Sequence, residues 1–185
     1  MNPIDKREIG KTGLRVSQMG FGGAPLSGFR GKIPEQVASA TLQTAFDAGL
    51  NLFDTSPYYG YGRSEFRAGQ FRRDLPRDSY VLSTKVGRWM EPLNRQSPPD
   101  DLRIGGLPFQ PVFDYSAAGV ARSMEQSMMR LGISEIDIIY IHDVDVFTTA
   151  ASKRRTGATL RSWMGATRSW KKCAPPVSSK PLALV

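Results

Sequence analysis

The segment Glu135–Asp143, reading EIDIIYIHD, constrains the fold of this chain more than any other. A near-continuous apolar run of strand length belongs to a parallel strand covered on both faces, since a strand with one wet face would alternate. Parallel neighbours need long crossovers, usually helical, and the preceding sequence supplies one. Val120, Met124, Met128 and Leu131 recur at helical spacing over Ala117–Leu131, with Gly132 at the stop position. Tyr80–Val86 (YVLSTKV), Leu50–Asp54 (LNLFD) and Gln18–Gly23 read as three earlier strands. Between them, Pro34 suits the first turn of a helix carrying Ala38, Leu42, Ala45 and Phe46, with Gly49 as its cap. Ser64 caps a shorter helix reaching about Leu75, ended by Pro76. This alternation predicts an α/β fold with a parallel sheet, doubly wound or rolled into a barrel. Arg7–Ser17 reads as a polar opening. Residues 88–115, with Pro92, Pro98, Pro99, Pro108 and Pro111, read as a long irregular loop of the kind reserved for lids and binding sites.

Charge divides the chain in two. Of 25 Lys+Arg and 17 Asp+Glu, eight basic and no acidic residues fall in Thr148–Val185, leaving residues 1–147 with 17 of each sign. Cys173 and two of the three Trp lie there too. The expectation is a folded region over 1–147 and a basic, low-order tail over 148–185. One Cys and one His leave no material for a disulfide framework or a Cys- or His-built metal centre, so no metal is expected. No stretch approaches the roughly 20 apolar residues of a membrane span, and Met1–Lys6 lacks the apolar segment of a secretory signal. A cytoplasmic protein without a membrane partner is expected.

Nucleotide motifs narrow the choice by failing. The fingerprint that Gly20 and Gly22 begin meets Pro25, the one that Gly60 and Gly62 begin meets Glu65, and Gly10-Lys11-Thr12 has Asp5 where a P-loop opens on glycine. Polar residues instead gather just after the strands, where parallel α/β folds place their active sites. Asp54 and Tyr59 follow the second strand, Lys85 closes the third, and His142 ends the fourth. A free tyrosine is too weak an acid for easy proton transfer at neutral pH. A lysine cation beside it favours the phenolate, an aspartate holds that lysine, and a histidine at the rim can bond a substrate oxygen. Such a set suits protonation of a carbonyl oxygen as hydride reaches its carbon, or the reverse.

These residues carry a resemblance. Asp54, Tyr59, Gly60, Glu65 and Gly69 match the signature of the aldo-keto reductases, as do Lys85 in LSTKVG and Ser127–Gly132 running on to Asp137, Ile141 and His142. The opening Gly13–Ser17 through Gly20-Phe21-Gly22 is similar as well. The resemblance covers about residues 6–147 and implies a (β/α)8 TIM barrel, of which this chain holds about the first four strand–helix units. It implies NADP or NAD as cofactor and a small carbonyl or sugar substrate. Tyr59 becomes the general acid/base, Lys85 and Asp54 tune it, and His142 orients the carbonyl. Gly22, Gly23 and Asp54 are expected to border the cofactor. SPYYGYGRSE is most similar to the branch of aldose 1-dehydrogenases and pyridoxal dehydrogenase. The loop over 88–115 would border the substrate mouth, with Trp89 read as packing and a substrate contact as the alternative.

The tail matches none of the later strands that carry most of that family's cofactor contacts. A frame shift near codon 148 of a longer reductase gene is the reading its composition favours, which would make this chain a truncated form. Two rivals remain. Trp163, Trp170 and the tail's cations could hold single-stranded nucleic acid, a disfavoured reading because acid-free basic runs are more often solvated tails. Open sheet edges could instead drive self-association.

Overall fold

The computed structural model describes residues 2–28, 30–94, 105–143 and 183–184. Its centre is a parallel sheet whose order follows the chain. Strand β3 (Phe21–Gly22) pairs with β4 (Leu52–Asp54), β4 with β5 (Val81–Val86), and β5 with β8 (Ile138–Ile141). Two backbone pairs add β9 (Ala183–Leu184) beyond β8. The crossovers are helices α1 (Glu35–Asp47), α2 (Arg63–Arg72) and α3 (Ala117–Leu131). This is the sequence-order pairing of a barrel wall, and the apolar run at Glu135–Asp143 lies in its parallel sheet as predicted.

Helix α3 shows why the boundaries fall where they do. The Ser116 side chain accepts the Gly119 N–H at the start, and Gly132 turns left-handed at the end with φ of 64°. Val120, Met124 and Leu131 are buried as the stripe predicts. Leu42 of α1, Phe53 of β4, Leu82 of β5 and Leu131 of α3 form the main core, with Phe46 and Phe71 packed on it.

Chain direction separates the two ends of the sheet. The Arg7–Ser17 segment is not merely polar loop: β1 (Lys6–Glu8) and β2 (Arg15–Ser17) form an antiparallel hairpin. It covers the N-terminal ends of the parallel strands. Leu14 packs on Val81 and Ile138, and the Asn51 carboxamide accepts Ser17 N–H at 2.6 Å while donating to Arg15 O at 3.0 Å. The opposite, C-terminal ends are where parallel α/β folds place their sites.

Two further expectations need correction. Within 88–115, β6 (Arg88–Pro92) and β7 (Phe109–Phe113) pair antiparallel, with Met90 opposite Pro111. The prolines argued for irregular chain, yet a two-stranded ribbon consists of edges only, where a missing N–H costs little. Pro98 and Pro99 lie outside the described residues. Ser64 is not the cap of α2, which starts one residue earlier behind Gly62. Fully buried, its hydroxyl donates to Gly23 O at 2.8 Å and accepts from Thr55 Oγ1 at 2.9 Å, tying α2 to the ends of β3 and β4. The basic tail, with Cys173, Trp163 and Trp170, lies outside the described residues apart from the backbone of β9. Among the described residues no helix is long and apolar enough to cross a membrane.

Candidate active site

Register and the two-residue period of strands bring the polar residues to one face. Gly22 is paired with Asp54, Asp54 with Ser83, and Lys85 with Tyr140. Parallel partners share a face and residues two apart share it too. Gly22, Asp54, Ser83, Lys85, Tyr140 and His142 therefore line the inner side of the sheet at its C-terminal ends. Tyr59 enters from the loop after β4, a tight turn in which Tyr61 has φ of 52° and Gly60 has φ of 64°. A side chain at Gly60 would meet Ser27 O at 2.6 Å, so the loop depends on glycine there.

Lys85 and Asp54 form the tightest contact. Lys85 Nζ donates to Asp54 Oδ2 at 2.7 Å, to Oδ1 at 2.9 Å and to Thr55 O at 3.0 Å. Ser83 Oγ adds a hydrogen bond to Asp54 Oδ1 at 2.7 Å. The ammonium thus spends three contacts on fixed acceptors and cannot swing away. It lies 4.9 Å from the centre of the Tyr59 ring and 5.7 Å from that of Tyr140. His142 stands edge-on to Tyr59, ring centres 5.8 Å apart at 87°. All four residues expected from the sequence meet at one mouth.

His142 is held on several sides. Its backbone N–H donates to Val86 O at 3.1 Å, and Tyr115 Oη donates to His142 O at 2.6 Å. The Tyr115 ring lies against the bare Cα of Gly87, whose φ of 98° favours glycine. Nδ1 lies 3.0 Å from Ser56 Oγ. Burial lowers the imidazole pKa from 6.5 to about 4, reinforced by the Arg88 and Lys85 cations and opposed by the Asp143 carboxylate. The ring is therefore neutral at pH 7.

Arg88, Asp143, Ser56 and Tyr115 escaped the sequence reading. Arg88 is buried between the Tyr58 and Phe113 rings, 4.5 Å and 4.8 Å from their centres, and donates to Asp143 Oδ2 at 2.8 Å. The one signal was position: Arg88 follows Lys85 by three, and Asp143 follows His142. Trp89 packs under the Arg122 guanidinium at 3.6 Å, as a packing residue would. The 88–115 insertion touches the site through Leu107 N–H, which donates to Gly60 O at 3.0 Å.

Gly22 and Gly23 differ. A side chain on Gly23 would meet Asp54 O and Ser64 Oγ at 2.7 Å each, so close packing explains that glycine. Among the described residues, a side chain on Gly22 would meet nothing within 4 Å, which leaves room beside its partner Asp54.

The model of the "Aldo/keto reductase family" matches residues 18–166. Pyridoxal 4-dehydrogenase of Microbacterium luteolum is 43% identical over 155 residues, covering 79% of this chain and 45% of that protein. L-galactose dehydrogenase of Arabidopsis thaliana is 38% identical, covering 78% of this chain and 40% of that protein. The chain thus spans less than half the length of these curated relatives. A holo-form aldo-keto reductase of Bacillus halodurans superposes with a TM-score of 0.67 at 20% identity, covering 98% of this chain and 50% of that one. The likeness at that identity is one of fold.

Proposed function

The chain belongs to the aldo/keto reductase family, and from that premise we propose that its mouth serves hydride transfer between a nicotinamide cofactor and a small carbonyl compound. The observation that carries the reading is the convergence of Asp54, Tyr59, Lys85 and His142 from β4, its following loop, β5 and β8. When bound, NAD(P)H would supply hydride to the carbonyl carbon, or NAD(P)+ would accept it. The open space over Gly22 suits one face of a flat ring, and Gly22, Gly23 and Asp54 would border it.

The remaining chemistry falls to this chain. In the reducing direction the Tyr59 hydroxyl gives its proton to the carbonyl oxygen as that oxygen gains charge. The Lys85 ammonium, 4.9 Å from the ring centre, stabilises negative charge developing on the phenol oxygen. Asp54 keeps that ammonium in place. Neutral His142 can donate to the same substrate oxygen and orient it. In the oxidising direction each transfer reverses, with Tyr59 accepting the proton.

The names of the relatives, pyridoxal 4-dehydrogenase and L-galactose dehydrogenase, support a hydroxylated aldehyde or aldose as the substrate class. The test pairs the purified chain with Tyr59→Phe. NADH and NADPH binding is followed by fluorescence, and turnover of pyridoxal and of aldoses by cofactor absorbance. We expect Tyr59→Phe to keep cofactor binding and lose turnover. Equal turnover in the two proteins, or no saturable cofactor binding by either, overturns the proposal.

A further inference from the structure

The Ser56 hydroxyl lies in the loop after β4 with no exposed surface. Its oxygen accepts Tyr58 N–H at 3.1 Å and lies 3.0 Å from His142 Nδ1. A serine hydroxyl has one proton to give. Among the described residues Nδ1 is the acceptor within its hydrogen-bonding reach, so the proton runs from Ser56 to Nδ1. The other hydrogen of the neutral imidazole then sits on Nε2.

The opposite assignment fails twice. Nδ1–H donating to Ser56 would leave the serine proton buried without an acceptor, an arrangement proteins avoid. It would also turn the Nε2 lone pair toward Asp143 Oδ2, 3.5 Å away. With hydrogen on Nε2 both contacts are favourable. The 3.5 Å contact is long, Asp143 is half exposed, and its carboxylate is already engaged by Arg88 at 2.8 Å. A substrate oxygen could replace that carboxylate as the partner of Nε2–H at little cost.

We infer that Ser56 is a positioning residue that locks His142 as the Nε2–H tautomer, so that a hydrogen-bond donor and not a lone pair faces the substrate carbonyl oxygen. The functional half of this inference rests on the reading of the mouth as a carbonyl-reducing site. The tautomer itself does not.

His142 is the sole histidine, so nitrogen NMR of the 15N-labelled full chain at pH 7 shows a single pair of imidazole lines. We expect Nδ1 at the position of an unprotonated ring nitrogen and Nε2 at that of a protonated one. In Ser56→Ala both lines should move toward the average of the two tautomers, while Ser56→Thr, which keeps the hydroxyl, should restore them. A wild-type spectrum of the Nδ1–H form overturns the inference, whether or not either variant folds. So does a folded Ser56→Ala protein with unchanged lines. Should the Nε2–H form be found while Tyr59→Phe retains full turnover, the proposed reaction falls and the tautomer assignment stands.

Discussion

Replacing Arg130 by Met isolates the cost of a buried charge in this fold. Glu65 of α2 has no exposed surface, and its carboxylate accepts Arg130 Nε at 2.6 Å and Thr84 Oγ1 at 2.7 Å. The Arg130 side chain is itself only 10% exposed. Methionine keeps much of the aliphatic stem that passes over Gly62 and removes the guanidinium. Glu65 would then be a buried carboxylate with one hydroxyl donor, a change that costs about 3–5 kcal/mol. A domain of ordinary stability has about 5–15 kcal/mol in total, so the loss should appear as a large fall in the urea midpoint with an unchanged slope. Glu65→Leu alone would strand the Arg130 cation, but Glu65→Leu with Arg130→Met should recover much of the loss, because an apolar pair needs no partner. A cost below about 1 kcal/mol for Arg130→Met, in the range of exposed pairs, would refute this reasoning. So would a double variant losing the sum of the two single losses. Because Thr84 precedes Lys85 in β5, the same variant should also loosen the Lys85 contact with Asp54.

Three further outcomes follow from the structure. Gly69→Ala gains about 1 kcal/mol in helix propensity, but its side chain would meet Arg130 O at 2.7 Å and Leu131 O at 2.9 Å where α2 crosses the end of α3. Backbone cannot yield cheaply, so overpacking of about 1–3 kcal/mol should win, seen as a lower thermal midpoint. The depressed His142 pKa makes stability pH-dependent: between pH 6.5 and about 4 the unfolded chain takes up a proton that the folded chain does not. Stability should therefore fall as pH drops through that window, by on the order of 3 kcal/mol, and His142→Gln should flatten this part of the urea-midpoint profile. The Arg67 hydrogen bond, more than its charge or that of Arg63, lowers the Glu35 pKa. That contribution is present above the ordinary carboxylate range and lost as pH falls through the lowered value. Glu35 is exposed but its partner Arg67 is buried and bonded to it twice, so Glu35→Gln, which keeps one acceptor oxygen, should cost about 1–3 kcal/mol at pH 7, measured against wild type at pH 3 and 7.

Much of the site was legible because its determinants are local. Asp54, Lys85 and His142 each sit at the end of an apolar run, so their place at the strand ends was local, while their shared face was fixed by the register between strands. Tyr59, one of three tyrosines in its loop, was singled out by the resemblance to the family signature that Asp54 and Gly60 also match. Ser56 and Arg88 were not, since their meaning depends on His142 and Asp143, 86 and 55 residues further along. The ribbon of β6 and β7 was hidden for a related reason: proline density argues against a strand until pairing shows that both strands are edges.

By itself, the pattern of apolar runs and helical stripes determined a parallel sheet with its polar residues at the C-terminal ends, because strand period and crossover geometry act over a few residues. Only the tertiary structure decided how those residues work together. Burial, reinforced by the Arg88 and Lys85 cations, keeps His142 neutral, three acceptors pin Lys85 close to the Tyr59 ring, and the buried Ser56 hydroxyl selects which histidine nitrogen carries the hydrogen. Desolvation and hydrogen-bond partnership depend on what packs around a group, and that is settled between residues far apart in the chain.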